Sequence, residues 1–327
     1  ADAFVPPARG VERRAADTAR LIDATERGAA GGRPTLVRGI GEVRALVLTV
    51  DFADTTWNAA AHPPGVIDSL LFGETSASVR TYFDEVSRGS FRVTGDVRPV
   101  MRLNTSIFTY TQSSLGIGDY PTNTPRMVEE LAVRSDAAVD YRDYDGDGDG
   151  VVDMLIVVHA GAGYEDTFRP RQFVSHQWHT FETPVLDGVR VESYVLLSEW
   201  SGIGAFAHEL VHLFGVPDLY DLGGSSQGLG DWSLMATGSR LGDPVYSDPA
   251  YPDPWTRIQL GFDLPIADPA AGPVTLSPVA SGGGILRAWT GGQTGAEYVL
   301  LENRHAVAGR CDGSLPGDGL FIYHVDE

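Results

Sequence analysis

The sequence predicts an α+β fold in which a twisted sheet packs against a helix carrying two histidines on one face, followed by a β-rich C-terminal portion. Three observations carry that reading. Apolar runs and helical stripes alternate through residues 42–159. The stretch Ala207–Asp221 reads A-H-E-L-V-H-L-F-G-V-P-D-L-Y-D, with apolar side chains at helical spacing around the two histidines. Beyond residue 264, short β-like runs are separated by Gly and Pro turns.

In chain order, residues 1–34 read as an N-terminal extension and a candidate propeptide remnant: a Pro-rich start, an Ala/Arg/Asp/Glu segment, then Gly31-Gly-Arg-Pro34. Residues 35–264 read as the catalytic domain. Glu42–Phe52 is nearly continuously apolar, which suits a buried strand. Residues 76–88 form a helix with Ser76 as N-cap and Val79, Tyr82, Phe83 and Val86 on one face. Ser90–Val100 is expected at a sheet edge, because Gly95 and Pro99 suit no central strand. Thr124–Val139 is a second helix, capped by Thr124 with Pro125 in its first turn. Met154–His159 is a buried strand, and Val189–Leu197 is expected to be an edge strand above a substrate cleft. Residues 265–327 form the β-rich portion, with runs at Ile285–Trp289, Tyr298–Glu302 and Leu320–Val325.

His208 and His212 lie four residues apart, so a helix places both on one face, where they can grip a single cation. Glu209 stands beside the first of them, where a carboxylate can take a proton from a metal-activated water. Gly215 permits the positive φ that ends a helix, and Asp218 then returns as a third ligand. Two imidazoles, one carboxylate and an open position make a catalytic zinc site. Downstream, Trp232-Ser-Leu-Met235-Ala-Thr-Gly238 supplies Met235 in a Gly-flanked turn, as metzincins place one beneath their zinc. Tyr246 and His176 are candidate oxyanion or substrate contacts, and Asp221 is expected to orient a ligand.

A second cluster, Asp143-Tyr-Asp-Gly-Asp-Gly-Asp-Gly-Val-Val-Asp153, resembles the front of a calcium-binding loop. Counting from Asp145, ligand positions fall on Asp145, Asp147, Asp149, the Val151 carbonyl and Asp153, with Gly150 at the sharp turn. The twelfth position, normally a bidentate Glu, is Ile156. Carboxylates this crowded repel one another without a cation, so calcium is the expected occupant.

The 327 residues are 43% hydrophobic, a globular composition with material for a large core. The net charge of −20 disfavours nucleic acid and anionic membranes as partners, and every basic residue is Arg. No apolar run approaches the length of a membrane span. Cys311 is the single cysteine. Ala1 opens without a charged and then apolar leader, as expected where a signal peptide has been removed or never existed. On the residues alone, a catalytically silent, calcium- and zinc-stabilised binding or adhesion module stays open as an alternative, although intact Glu209 argues against it.

The chain resembles the immune inhibitor A metallopeptidases, peptidase family M6. The resemblance lies in Ser78–Ser87, Asp145–Gly161, His208–Asp221, Trp232–Gly238, Pro254–Gly261, Glu297–Arg304 and Gly319–Val325, in that order. One departure is Val211, where family members often carry Gly. The resemblance implies a zincin/metzincin-like catalytic domain and a secreted bacterial zinc endopeptidase made as a zymogen, acting on proteins or peptides. Zinc would sit on His208, His212 and Asp218, with Glu209 as general base, Met235 in the Met-turn and calcium at the Asp-rich loop. It also implies further C-terminal domains beyond Glu327.

Overall fold

A computed structural model describes residues 41–327, except Pro64, Ser76, Leu222, Arg310 and residues 263–265, 268–271 and 290–293; of Ile266 and Ala267 it describes the backbone. The extension expected at residues 1–34 lies outside the described residues.

The elements in order are β1 (Gly41–Asp51), α1 (Val66–Phe72), α2 (Val79–Val86), β2 (Phe91–Val97), β3 (Met101–Arg102), α3 (Phe108–Thr111) and α4 (Thr124–Ser135). Then follow β4 (Leu155–His159), α5 (Tyr164–Thr167), β5 (His176–His179), β6 (Val185–Leu186), β7 (Val189–Arg190), β8 (Ser193–Ser198), α6 (Ile203–His212) and α7 (Pro254–Gln259). Strands β9 (Ile266–Ala267), β10 (Ile285–Trp289), β11 (Glu297–Arg304) and β12 (Gly319–Asp326) close the chain.

The main sheet runs β2-β1-β4-β8-β5, with β3 beside the end of β1. All its pairings are parallel except β5 with β8. Strand β1 is apolar almost throughout because both of its faces are covered. Val43, Ala45 and Val47 pack with α1, α2 and α6, whereas Leu46, Leu48 and Val50 pack with Met127, Val128 and Leu131 of α4 on the other side. The sheet is thus the middle of three layers, and the histidine helix lies on one of them.

Sequence periodicity identified β1, α2, β2, α4, β4, α6 and the three long strands of the C-terminal sheet, gave no sign of α1, α3, α5, β5 or α7, and misplaced one strand and two caps. Strand β8, expected at an edge, lies between β4 and β5, and all six of its residues are buried. The edge on that side of the sheet is β5, which runs antiparallel and is only four residues long. Helix α2 is capped by Ser78: its hydroxyl accepts from Thr81 N at 3.0 Å while Ser78 N donates to Thr81 Oγ1 at 2.9 Å. Asn123, not Thr124, caps α4, and that helix ends at Ser135 in a short 3₁₀ turn, Asp136–Ala138.

The second sheet has the order β12-β11-β10-β9. Strands β10, β11 and β12 pair antiparallel, and Ile285, Tyr298, Leu300 and Tyr323 form its buried side against Trp255 and Ile258 of α7.

Two histidines lie within the α4 side of the main sheet. His159 and His176 are each 1% exposed, and burial lowers both pKa values to about 4. The unfolded chain takes up these protons near pH 6.5, so the stability from the neutral rings is complete above that value. It is lost as the pH falls from 6.5 through about 4, by at most about 3 kcal/mol per ring. Denaturant melts at pH 7.0 and 4.5 should show a large fall for the parent and a smaller one for His176→Gln. Equal falls in both would contradict this assignment.

Candidate metal centre

Helix α6 is apolar nearly all round because it lies between the main sheet and residues 232–240. Its start requires two glycines. A Cβ on Gly204 would come 1.9 Å from the Ser239 carbonyl oxygen, and one on Gly202 would come 2.8 Å from Tyr246 Cβ. Val211, the departure from the family pattern, is fully buried in this packing. The helix ends at His212, and Gly215 (φ 79°) reverses the chain.

That reversal brings three atoms together. His208 Nε2 and His212 Nε2 are 3.3 Å apart, and Asp218 Oδ1 lies 3.0 Å from the first and 3.4 Å from the second. The other nitrogen of each ring faces a backbone carbonyl: His208 Nδ1 is 2.9 Å from Leu234 O, and His212 Nδ1 is 2.8 Å from Val216 O. A carbonyl only accepts, so each Nδ1 carries the proton and each Nε2 of a neutral ring presents a lone pair. Asp218 Oδ1 is buried and, despite its closeness to the imidazoles, has no hydrogen bond of adequate geometry. Two lone pairs and a carboxylate oxygen facing one another fit a divalent cation of the zinc type.

The electrostatics agree. Burial works to lower the His208 pKa, yet the hydrogen-bonding reach and charge of Asp218 outweigh it and raise the value. Burial works to raise Asp218, yet the two imidazoles hold it far below the usual carboxylate range. The site therefore draws positive charge to its centre. Glu209, 8% exposed on the same helix, is pushed up to about 8 by burial, with the Asp218 and Glu165 carboxylates adding to the rise. His208 and a backbone hydrogen bond from Gln177 on β5 work the other way. A carboxyl balanced near neutrality can both accept and release a proton.

Met235 is fully buried in the core beside α6. Its carbonyl accepts from Leu219 N at 2.7 Å, so this turn holds both the His208 ring, through Leu234, and the loop bearing Asp218. Tyr246 packs on the start of α6, where its backbone carbonyl accepts from Gly204 N at 2.9 Å. Arg240 Nη1 donates to the Tyr246 hydroxyl at 2.6 Å.

Two expected residues stand elsewhere. His176 projects from β5 to the face opposite α6, where it stacks edge-on with Trp178 and Tyr194 and lies 3.2 Å from the Tyr194 hydroxyl. Strand alternation explains this, since His176 pairs across from Leu196 while Gln177 pairs with Val195 on the α6 side. Asp221 touches no ligand. It accepts from Gly223 N, Ser225 N and Ser226 N at 2.6–2.7 Å and organises an exposed turn. The residue that orients Asp218 is Tyr220, whose hydroxyl donates to Asp218 Oδ2 at 2.7 Å and leaves Oδ1 to face the imidazoles. Its place two residues after Asp218 is the sequence signal that could have pointed to it.

The Asp-rich loop also closes on itself. Oxygens of Asp145, Asp147 and Asp149 lie within 4.8 Å of one another. Gly150 N donates to Asp145 Oδ2 at 3.1 Å, Val151 N to Asp149 Oδ1 at 2.9 Å, and Gly146 N to Asp153 Oδ2 at 2.8 Å. Asp145 Oδ1 is buried without a partner, and burial followed by the neighbouring carboxylates raises the Asp153 pKa.

Residues 65–261 match the profile described as "Immune inhibitor A peptidase M6, catalytic domain". The chain is 26% identical over 257 residues to Immune inhibitor A of Bacillus thuringiensis subsp. alesti, covering 62% of this chain and 37% of that protein. It is 25% identical over 267 residues to the pre-pro-metalloprotease PrtV of Vibrio cholerae serotype O1 (strain M66-2), covering 65% of this chain and 29% of that protein. It thus spans about a third of the length of these relatives. The match to the profile covers more than half of the chain, and the chain belongs to the immune inhibitor A peptidase M6 family.

Proposed function

We propose that this chain is the catalytic part of a secreted, calcium-stabilised zinc endopeptidase of zincin/metzincin type, with residues 35–264 as the catalytic domain. The convergence of His208 Nε2, His212 Nε2 and Asp218 Oδ1 beside the buried Glu209 carries the reading. A family of metallopeptidases and a relative named as a metalloprotease support it.

His208, His212 and Asp218 would hold the zinc. Bound there, it would lower the pKa of a coordinated water toward about 7 and polarise the scissile carbonyl. Glu209, buried on the helix that carries His208 and His212, would take the proton of the attacking water and pass it to the leaving amine nitrogen. The outer edge of β5 offers the backbone groups with which an extended peptide pairs, and Gln177 on that strand already reaches Glu209. Tyr246 is the favoured oxyanion donor, because its loop packs on α6, the helix that carries Glu209, whereas His176 faces the other side of the sheet. Buried Glu209 also separates this reading from a silent binding module, which has no use for a proton acceptor there.

Calcium on Asp145, Asp147, Asp149, the Val151 carbonyl and Asp153 would offset the carboxylate repulsion and fix the entry to β4. Ile156, at the twelfth position, is buried within β4 and contributes no ligand. Secretion, synthesis as a zymogen with residues 1–34 as propeptide remnant, and domains beyond Glu327 complete the proposal on the family resemblance. Among the described residues no helix is long and apolar enough to cross a membrane.

Hydrolysis of a denatured protein tests the assignment. Glu209→Ala should keep its zinc and lose activity by about a thousandfold; substantial cleavage by this variant would refute Glu209 as the base. Tyr220→Phe should weaken zinc binding about tenfold by competition titration, and unchanged affinity would remove Tyr220 from the site. Removing calcium with zinc retained should lower the melting temperature, since bound ligand at a hundredfold excess over Kd contributes about 3 kcal/mol. An identical melt in chelator would count against calcium at this loop.

A further inference from the structure

Three motifs of the sequence take no part in the chemistry proposed above: Pro254–Gly261, Glu297–Arg304 and Gly319–Val325. The fold gathers one or more polar side chains from each into a single buried cluster. Arg257 of α7 bonds Glu302 of β11, and Tyr323 of β12 donates to the same carboxylate at 2.8 Å. Arg304 of β11 reaches Glu302 Oε1 at 2.9 Å and grips Asp312 with two donors, Nε at 2.6 Å and Nη2 at 2.5 Å. The side chains of Arg257, Glu302, Arg304 and Asp312 are at most 1% exposed.

Burying four charges costs several kcal/mol per ion before pairing, and paired apolar groups often stabilise as well. Stability alone is therefore a weak reason for this cluster. Its remaining contacts point to another. Arg304 Nη1 donates to the Trp232 carbonyl at 3.0 Å, and Asp312 Oδ1 accepts from Tyr251 N at 2.7 Å. The Tyr251 carbonyl in turn accepts from Leu234 N at 3.3 Å. The turn at residues 232–234 is thus held at both ends by one ion pair. On the second anchored residue itself, Leu234 O accepts the hydrogen bond of His208 Nδ1.

We infer that the Arg304–Asp312 pair is a positioning device for His208, fixing the carbonyl that sets the tautomer and aim of that imidazole. The inference rests on the zinc reading of the site. It makes residues beyond the matched catalytic segment part of the frame of the metal centre, and gives the Glu297–Arg304 motif a role that packing alone does not require. A guanidinium is needed, since only its planar fork can hold a carboxylate with two donors while a third reaches the Trp232 carbonyl.

The test is the zinc affinity of the full chain, by competition with a chromophoric chelator, together with the visible spectrum of the cobalt(II)-substituted protein. Arg304→Lys keeps the charge and loses the fork; the double variant Arg304→Met/Asp312→Asn removes the pair in charge balance. Tyr323→Phe, in the same cluster but bonded directly neither to the turn nor to the Arg304–Asp312 pair, is the control. The expected result is zinc binding weakened about tenfold or more, with altered cobalt bands, in both Arg304 variants. Tyr323→Phe should bind zinc within about twofold of the parent even where its melting temperature falls. Parent-like affinity and spectra in the Arg304 variants would overturn the inference, as would equal weakening in Tyr323→Phe. Failure of both Arg304 variants to fold would also overturn it, by making the pair a determinant of folding. A parent chain that binds no zinc would overturn the zinc reading and this inference together.

Discussion

Two hydrogen bonds from ring nitrogens to backbone carbonyls set everything else at the centre of this molecule. An imidazole free to choose its tautomer is an indifferent ligand; one whose Nδ1 proton is held by a carbonyl presents a lone pair in a fixed direction. Leu234 O does this for His208 and Val216 O for His212. The two carbonyls belong to segments that must themselves be placed. Val216 is reached through the turn at Gly215, and Leu234 through a loop anchored on Asp253, Tyr251 and Arg304. The metal centre is a property of those loops as much as of the helix.

The layers explain why the helix can serve. With both faces of the main sheet covered, α6 is pressed between β-sheet and loop and has no freedom to drift. Gly202 and Gly204 let the loops carrying Tyr246 and Ser239 touch the helix backbone. The antiparallel edge strand β5 lies on the same side and brings Gln177 to Glu209. A buried carboxyl, a sheet-edge strand and a cluster of lone pairs then occupy one region.

Much of this was legible in the sequence. The four-residue spacing of His208 and His212, the flanking Glu209, the reversal at Gly215 and the alternating Asp residues each state a local geometry that depends on few distant contacts. The apolar run of β1 likewise announced a strand covered on both faces. What the sequence did not disclose depends on strand order and register. Val189–Leu197 is apolar enough for any place in a sheet, and pairing alone put β8 inside and β5 at the edge. His176 turned away because neighbouring residues of a strand face opposite sides. Asp221 and Tyr220 differ by one position, yet one ties an exposed turn and the other orients Asp218. The Arg304 cluster joins residues separated by up to 72 positions, a relation that no periodicity records.

X-ray absorption at the zinc edge of the full chain tests the central claim most directly. Two imidazole nitrogens at about 2.0–2.1 Å and carboxylate or water oxygens at about 2.0–2.2 Å, with no sulfur, are what this centre predicts. Zinc bound by fewer than two imidazoles, or with a sulfur neighbour at about 2.3 Å from Cys311, would place the metal elsewhere and contradict the account.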